Sequence, residues 1–284
     1  MKQRILVIGA GGFLGGRVAH SGDCRFEMIP VGRAELDITN SQSVESSMAF
    51  AGPDIVVLTA ALADIDRCEK DPDLARAVNV GGVKNVAEAC ARRGVRMLFT
   101  SSGAVFDGEA EHYAESDTPN PISVYGKTKA EAEQVVRDMM PRAVIVRFSM
   151  GLGYSLSGGT NALLDKLQAA FREGKRIFAP ASEYRNAIDA DTLTRWMLDL
   201  CAAPEARGTF HLGSADALSR YEIVGRLAEA MGYSKELVTA QDAAPERAPR
   251  GRRQHLVPGR IREFSSVPVP SCIEVTERCV HVTA

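Results

Sequence analysis

Arg4-Ile5-Leu6-Val7-Ile8-Gly9-Ala10-Gly11-Gly12-Phe13-Leu14-Gly15 is the stretch that sets the architecture of this chain. Residues 4–9 form a short β-branched apolar run, the pattern of a buried strand. A glycine turn follows, then a helix through about His20. Such a turn lets the backbone approach a pyrophosphate, whose charge then faces the helix N-terminus. Gly9, Gly12 and Gly15 have the G-x-x-G-x-x-G spacing, with Phe13 and Leu14 inside the turn as further candidate cofactor contacts. Glycines also make ordinary tight turns; what gives these meaning is the strand before them and the helix after.

The same alternation continues outward. Residues 26–31 read as a second strand, 43–50 as a short helix capped by Thr39, Asn40 or Ser41, and 53–59 as a fully buried strand. A long helix is predicted over 72–93, opened by Pro72 and closed near Gly94. Residues 95–101 form the next strand, 125–138 a helix and 142–148 another strand. Repeated strand–helix units with apolar strands imply an α/β doubly wound parallel sheet (Rossmann) covered on both faces, binding ligands at the carboxyl ends of its strands. Beyond residue 148 the order changes. Residues 151–160 read as a loop, 161–172 as an amphipathic helix, 177–180 as a short strand, 192–201 as a helix, 208–212 as a strand and 219–231 as a helix capped by Ser219. From 240 onward Pro, Arg and Gly dominate and no regular structure is predicted. The expected division is a dinucleotide-binding domain over 1–148, with 186–213 returning to it. A small interleaved C-terminal substrate lobe takes 149–185 and 214–284.

Bulk numbers narrow the function classes. The 284 residues suit one large domain, or one domain plus a lobe, and 45% hydrophobic content is enough for a sizeable core. A net charge of -2 and a pI near 6.2 point to neither a nucleic-acid nor an anionic-membrane partner. The six cysteines are scattered without a Cys-x-x-Cys, which argues against a zinc site and a disulfide framework. The opening residues superficially resemble a signal peptide, but glycines break the apolar run almost at once. No later stretch approaches the ~18–20 apolar residues a membrane helix needs. A soluble cytoplasmic protein with reduced thiols is the expectation.

Chemistry is concentrated in Val124-Tyr125-Gly126-Lys127-Thr128-Lys129 and in the hydroxyls ending the strand before it. A four-residue spacing puts Tyr125 and Lys129 on one helix face. A free phenol, with a pKa near ~10, is a poor proton donor or acceptor at neutral pH. An ammonium one turn away is expected to lower it. Ser102 ends its strand where this fold exposes side chains to ligand, and is the hydroxyl to hold a substrate carbonyl; Ser101 and Ser123 suit loop capping better. Together the three would move a proton on and off a carbinol oxygen while a nicotinamide moves the hydride. At the end of the second strand, where an acid would favour NAD(H), the chain has Val31-Gly32-Arg33. A guanidinium can pair with a 2′-phosphate, so NADP(H) is expected over NAD(H). Asp37 comes late for the ribose and suits the adenine edge. Asn79, a mediocre helix former inside a helix, is either bonded near the site or partly exposed.

On these residues the chain resembles the extended short-chain dehydrogenase/reductases, and within them the dTDP-4-dehydrorhamnose reductase group. The likeness lies in the Gly9–Gly15 turn, Leu36-Asp37-Ile38-Thr39, Ala60-Ala61 continuing to Ile65-Asp66-Arg67-Cys68-Glu69, Val78-Asn79-Val80, Ser101-Ser102-Gly103-Ala104-Val105-Phe106-Asp107-Gly108, and the Tyr125/Lys129 segment. The resemblance implies that Ser102 polarises the substrate, that Tyr125 is the acid/base and that Lys129 is its partner and ribose ligand. It also implies that Ala60 and Ala61 line the nicotinamide side. The substrate would be a nucleotide-linked deoxysugar bearing a keto group, and the enzyme a homodimer.

Three departures bear on the substrate side. The group usually reads Ser-Thr-Asp-Tyr-Val-Phe-Asp-Gly where this chain has Gly103-Ala104 in the middle. A Trp expected after the following strand is Met150. Arg247, Arg250, Arg252 and Arg253 lie in an irregular late segment, either as partners of a nucleotide diphosphate or as a solvated basic loop. Two rival functions stand beside the reductase: an NAD-dependent nucleotide-sugar epimerase or dehydratase, and a non-catalytic regulatory subunit built on the same fold.

Overall fold

The computed structural model describes residues 2–156, 162–242 and 247–281. In chain order its first half runs β1 (Gln3–Ile8), α1 (Phe13–Ala19), β2 (Phe26–Val31), α2 (Ser41–Ala51), β3 (Ile55–Leu58), α3 (Ile65–Lys70), α4 (Pro72–Arg76), α5 (Val83–Arg93), β4 (Arg96–Thr100), α6 (Val124–Met139) and β5 (Val144–Arg147). Then come β6 (Met150–Leu152), α7 (Leu163–Arg172), β7 (Ile177–Ala179), β8 (Tyr184–Arg185), β9 (Ala187–Asp189), α8 (Ala190–Ala202), β10 (Gly208–His211), β11 (Leu218–Ser219), α9 (Arg220–Ala230), β12 (Val238–Ala240), β13 (Arg253–Gln254) and α10 (Cys272–Arg278).

Six strands make one parallel sheet in the order β10-β5-β4-β3-β1-β2. Strand periodicity explains its three-layer build. Ile5 and Val7 of β1 face one apolar cluster with Leu14 and Val18 of α1 and Leu193 and Trp196 of α8. Leu6 and Ile8 face the other, with Val44 and Met48 of α2 and Val83 and Val86 of α5. All four β1 residues are essentially buried, so the strand is apolar throughout rather than alternating.

Register decides where a ligand can go. Ile8 is opposite both Val31 of β2 and Leu58 of β3, and Leu58 is opposite Phe99 of β4. The segments leaving these strands, beginning at Gly9, Gly32, Thr59 and Ser101, therefore open along one edge of the sheet.

Two expectations need correction. The helix predicted over 72–93 is interrupted: a π-helical turn, Ala77–Gly82, separates α4 from α5. The C-terminal segment also holds regular structure. Gln254 pairs with Arg185 in a three-stranded sheet, β11-β8-β13, and α10 begins with a capping box in which Ser271 Oγ accepts from Glu274 N and Glu274 Oε2 accepts from Ser271 N at 2.7 Å. The Ser-x-x-Glu signature was readable at 271–274; the Pro, Arg and Gly content around it hid it. The loop predicted over 151–160 instead opens with β6, paired to β9, and its part from 157 on lies outside the described residues, as does residue 161 of the following helix. No helix among the described residues is long and apolar enough to cross a membrane.

Candidate active site

The glycine turn is held tightly against the sheet. Gly9 N and Ala10 N both donate to Val31 O, and Thr59 Oγ1 donates to Ile8 O. Gly9 has φ +99°, and a Cβ there would lie 2.6 Å from Ala60 N. A Cβ on Gly15 would run into the Gly9 carbonyl. Neither position admits a side chain, so the start of α1 approaches β1 and β3 more closely than any other residue type allows.

Between this turn and the ends of β2 and β3 lies a cleft of about 350 Å³. Gly9, Gly12, Arg33, Asp37, Ala60 and Ala61 line it. Arg33 is exposed at its rim. The Asp37 carboxylate accepts from Thr39 N and Oγ1 at 2.9 and 2.8 Å, and these bonds hold it below the usual carboxylate range. Phe13 and Leu14 turn their side chains elsewhere: Leu14 is in the core and Phe13 packs toward Gly151. Any contact they make with a ligand in the cleft comes from the backbone. Thr39 and Arg67 also line the cleft. Sequence reasoning named Thr39 as a possible helix cap and both residues within family-like stretches, but assigned neither to the cofactor.

The second part of the site forms where α6 meets the end of β4. Ser123 caps α6 by accepting from Gly126 N at 3.1 Å, and Val124 N donates to Glu69 Oε1 at 2.7 Å. This fixes Tyr125 in the first turn. Lys129, one turn on and 1% exposed, donates from Nζ to Thr100 O at 2.7 Å and sits 4.2 Å from the Phe99 ring centroid. Ser102 follows two residues after Thr100, and its Oγ accepts from Ala104 N at 3.1 Å. Burial pushes the Tyr125 phenol up to about 12, while interaction with the Ser102 hydroxyl pulls it the other way. Burial also pushes Lys129 down to about 7, opposed by the charge of Glu133.

These values correct the expected electrostatics. Tyr125 and Lys129 do share a helix face, but the phenol is not made acidic by a neighbouring ammonium. Desolvation dominates both groups, favouring the neutral phenol and weakening the lysine charge.

Behind Lys129 lies a charged network not anticipated from sequence. Glu133, fully buried, accepts from Ser101 Oγ at 2.5 Å, from Arg147 Nε and Nη2 at 2.8 and 2.6 Å, and from Arg137 Nη2 at 2.7 Å. Burial alone would raise its carboxyl, but the bonds and charge of Arg147 more than offset this and hold it low. His211 closes the network against Arg147; burial, then the Arg147 charge, pushes it down to about 3, so it is neutral. The signal for Glu133 was present in the repeated four-residue step Tyr125, Lys129, Glu133. Ser101 and Ser123, read as capping hydroxyls, are both buried; Ser123 does cap α6, whereas Ser101 serves Glu133.

Asn79 lies in the π-helical turn and is fully buried. Its Oδ1 accepts from Leu62 N at 2.8 Å, and its Nδ2 donates to Leu62 O and Thr128 Oγ1, each at 3.1 Å. It ties the cleft wall at Leu62 to the helix carrying Tyr125. Of the late arginines, Arg250 is bonded to Asp66 through both Nη atoms at 3.2 and 2.8 Å, and Arg247 reaches Glu183 at 3.3 Å. Arg253 stacks over the Tyr184 ring and Arg252 is exposed. Arg247 and Arg250 thus anchor the C-terminal segment, Arg250 to α3, while Arg252 and Arg253 are solvated.

The model of the RmlD substrate binding domain matches residues 2–283. The chain is 33% identical over 272 residues to dTDP-4-dehydrorhamnose reductase of Sinorhizobium fredii, covering 89% of this chain and 88% of that protein. It is 27% identical over 273 residues to methionine adenosyltransferase 2 subunit beta of Bos taurus, covering 92% and 82% respectively. Among solved structures, dTDP-4-dehydrorhamnose reductase from Bacillus anthracis in complex with NADP superposes with a TM-score of 0.89 at 26% identity, covering 98% of this chain and 99% of that one.

Proposed function

This chain belongs to the RmlD substrate binding domain family, and we propose that it is an NADP(H)-dependent reductase of a keto group on a nucleotide-linked deoxysugar. The observation that carries the reading is the meeting of Ser102, Tyr125 and Lys129 at the end of β4, on the sheet edge shared with the glycine turn.

The residues present fit the dinucleotide. Gly9 and Gly15 let the start of α1 close onto the sheet, Gly11 and Gly12 line the cleft without side chains and a Cβ on Gly11 would meet open space, the first-turn backbone of α1 suits a pyrophosphate, and Arg33 at the cleft rim suits a 2′-phosphate. Asp37, Ala60 and Ala61 would flank the bound nucleotide, and Lys129 would hold its ribose hydroxyls. When bound, the nicotinamide supplies the hydride that reaches the carbonyl carbon. Ser102 donates a hydrogen bond that orients the carbonyl oxygen. Tyr125 then gives its proton to that oxygen as negative charge develops there. Reduction needs a protonated phenol, and the upward shift of the half-buried Tyr125 keeps it one at neutral pH.

The test is NADPH oxidation in the presence of dTDP-4-dehydrorhamnose. Tyr125→Phe should lower kcat by at least ~10²-fold, the usual scale of general acid catalysis, with NADPH affinity unchanged. Retained turnover overturns the assignment. Exchangeable NADPH would separate the reductase from an epimerase or dehydratase, which would co-purify with stoichiometric NAD. Likeness to methionine adenosyltransferase 2 subunit beta supports a second reading, a non-catalytic regulatory subunit; the complete Ser102/Tyr125/Lys129 set argues for the enzyme. A cytoplasmic setting matches six cysteines without a disulfide. A homodimer, the form expected from the resemblance, is checked by sedimentation.

A further inference from the structure

Immediately after Ser102 the chain offers no side chain, and the space beside Gly103 is filled from far along the sequence. A Cβ on Gly103 would lie 3.3 Å from Gln254 Oε1, 3.3 Å from Leu256 Cδ1 and 3.4 Å from Ser149 Cβ. Gln254 is held there by its pairing with Arg185 and by its carbonyl, which accepts from Asn186 N. The residue is only 5% exposed.

Its amide is the unusual group. Among the described residues no hydrogen bond reaches it, whereas the polar groups around it are all engaged. Ser149 Oγ donates to Asn186 O at 2.9 Å. Asn186 Nδ2 donates to Ser214 O and Leu256 O at 3.1 and 2.8 Å, and Asn186 Oδ1 accepts from Leu256 N at 3.1 Å. Nor is the Gln254 amide sealed inside the protein: neither of its polar atoms is among the fully enclosed ones that lack a partner. The amide therefore reaches solvent with no protein group using its hydrogen-bonding capacity, and a ligand hydroxyl can take the place of water there. Consecutive Cα atoms are about 3.8 Å apart, so an amide abutting Gly103 lies within a sugar ring's reach of Ser102.

We propose that Gln254 is a substrate-contacting residue that reads a ring hydroxyl of the sugar held at Ser102 and Tyr125. A primary amide can accept from and donate to the same kind of group, which suits a hydroxyl and discriminates against a deoxygenated ring carbon. The inference rests on the nucleotide-sugar reading above and adds to it the residue that distinguishes the sugar from the bare nucleotide.

Equilibrium binding separates the two claims because it does not depend on turnover. Calorimetry of the full chain with NADP present would compare dTDP with dTDP-rhamnose, the product of reducing dTDP-4-dehydrorhamnose, in wild type and in Gln254→Met. The wild type should prefer dTDP-rhamnose. The variant should lose about tenfold of that preference, about 1.4 kcal/mol, with dTDP affinity unchanged. Equal affinities for dTDP-rhamnose in both proteins, a parallel loss for both ligands, or no wild-type preference for dTDP-rhamnose would each overturn the proposal. Gln254→Leu, which removes the amide and keeps most of the bulk without adding charge, serves if the Met variant does not fold, with the same loss of preference expected. A wild type that binds dTDP-rhamnose through Gln254 yet does not oxidise NADPH with the keto sugar would overturn only the catalytic reading.

Discussion

Replacing Glu133 by Gln should be among the most damaging single changes to this fold, although Glu133 is outside the substrate's reach. The carboxylate and its partner Arg147 are 0% and 1% exposed. Solvent therefore screens neither charge, and removing one leaves the other stranded. Breaking such a pair costs about 3–5 kcal/mol. The Gln amide can still accept one bond from Ser101 or Arg147, which puts the expectation at the lower end, about 3 kcal/mol. At roughly 2 °C per kcal/mol for a large domain, Tm should fall by about 6 °C. Circular dichroism melts and urea titrations at pH 7 would measure it.

A second substitution shows whether the stranded charge is the cause. Glu133→Gln with Arg147→Met removes both charges and fills the volume, so it should recover at least about half of the loss. Arg137 needs no replacement, because its side chain is 36% exposed and water can take over its solvation. A single-variant loss below about 1 kcal/mol, or a double variant whose loss is the sum of the two singles, refutes the reasoning.

Arg33→Ala should raise the KM for NADPH at least about tenfold while leaving that for NADH nearly unchanged; equal effects on both cofactors would remove Arg33 from the 2′-phosphate. Lys129 carries a pH signature. Its folded pKa, about 7, lies below its ordinary 10.5, so between those values the unfolded chain binds more protons than the folded one. The associated destabilisation is then full below about pH 7 and is relieved as pH rises toward 10.5. Unfolding free energies of the cofactor-free chain from pH 7 to 10 should thus rise in wild type relative to Lys129→Met, and a flat difference would show that Lys129 remains charged in the fold.

The sheet was legible because its signals are local. An apolar run before a glycine turn at residues 4–15, and the same strand–helix alternation through residue 148, specify a doubly wound architecture without knowledge of any distant contact. Tyr125 and Lys129 were legible for the same reason, since helix geometry alone aligns residues four apart. The sign of their electrostatics was not. It depends on how much water the surrounding elements exclude, and burial of both groups reversed the expectation of an acidic phenol. Asn79 behaves similarly: its composition-level reading was ambiguous, and only the π-helical turn and the approach of Leu62 gave its amide a purpose.

The substrate side was least legible. Gln254 stands 151 positions after Gly103 in the chain, and Asp66 meets Arg250 across a separation of 184. Spacing rules do not extend over such distances, because they describe one helix or one strand. The sequence by itself determined the sheet, the glycine cradle and the pairing of phenol with lysine on one helix. Only the tertiary structure decided which groups are dry, which charges are shared and which distant side chain fills the gap beside Ser102, since each of these follows from what packs against a residue.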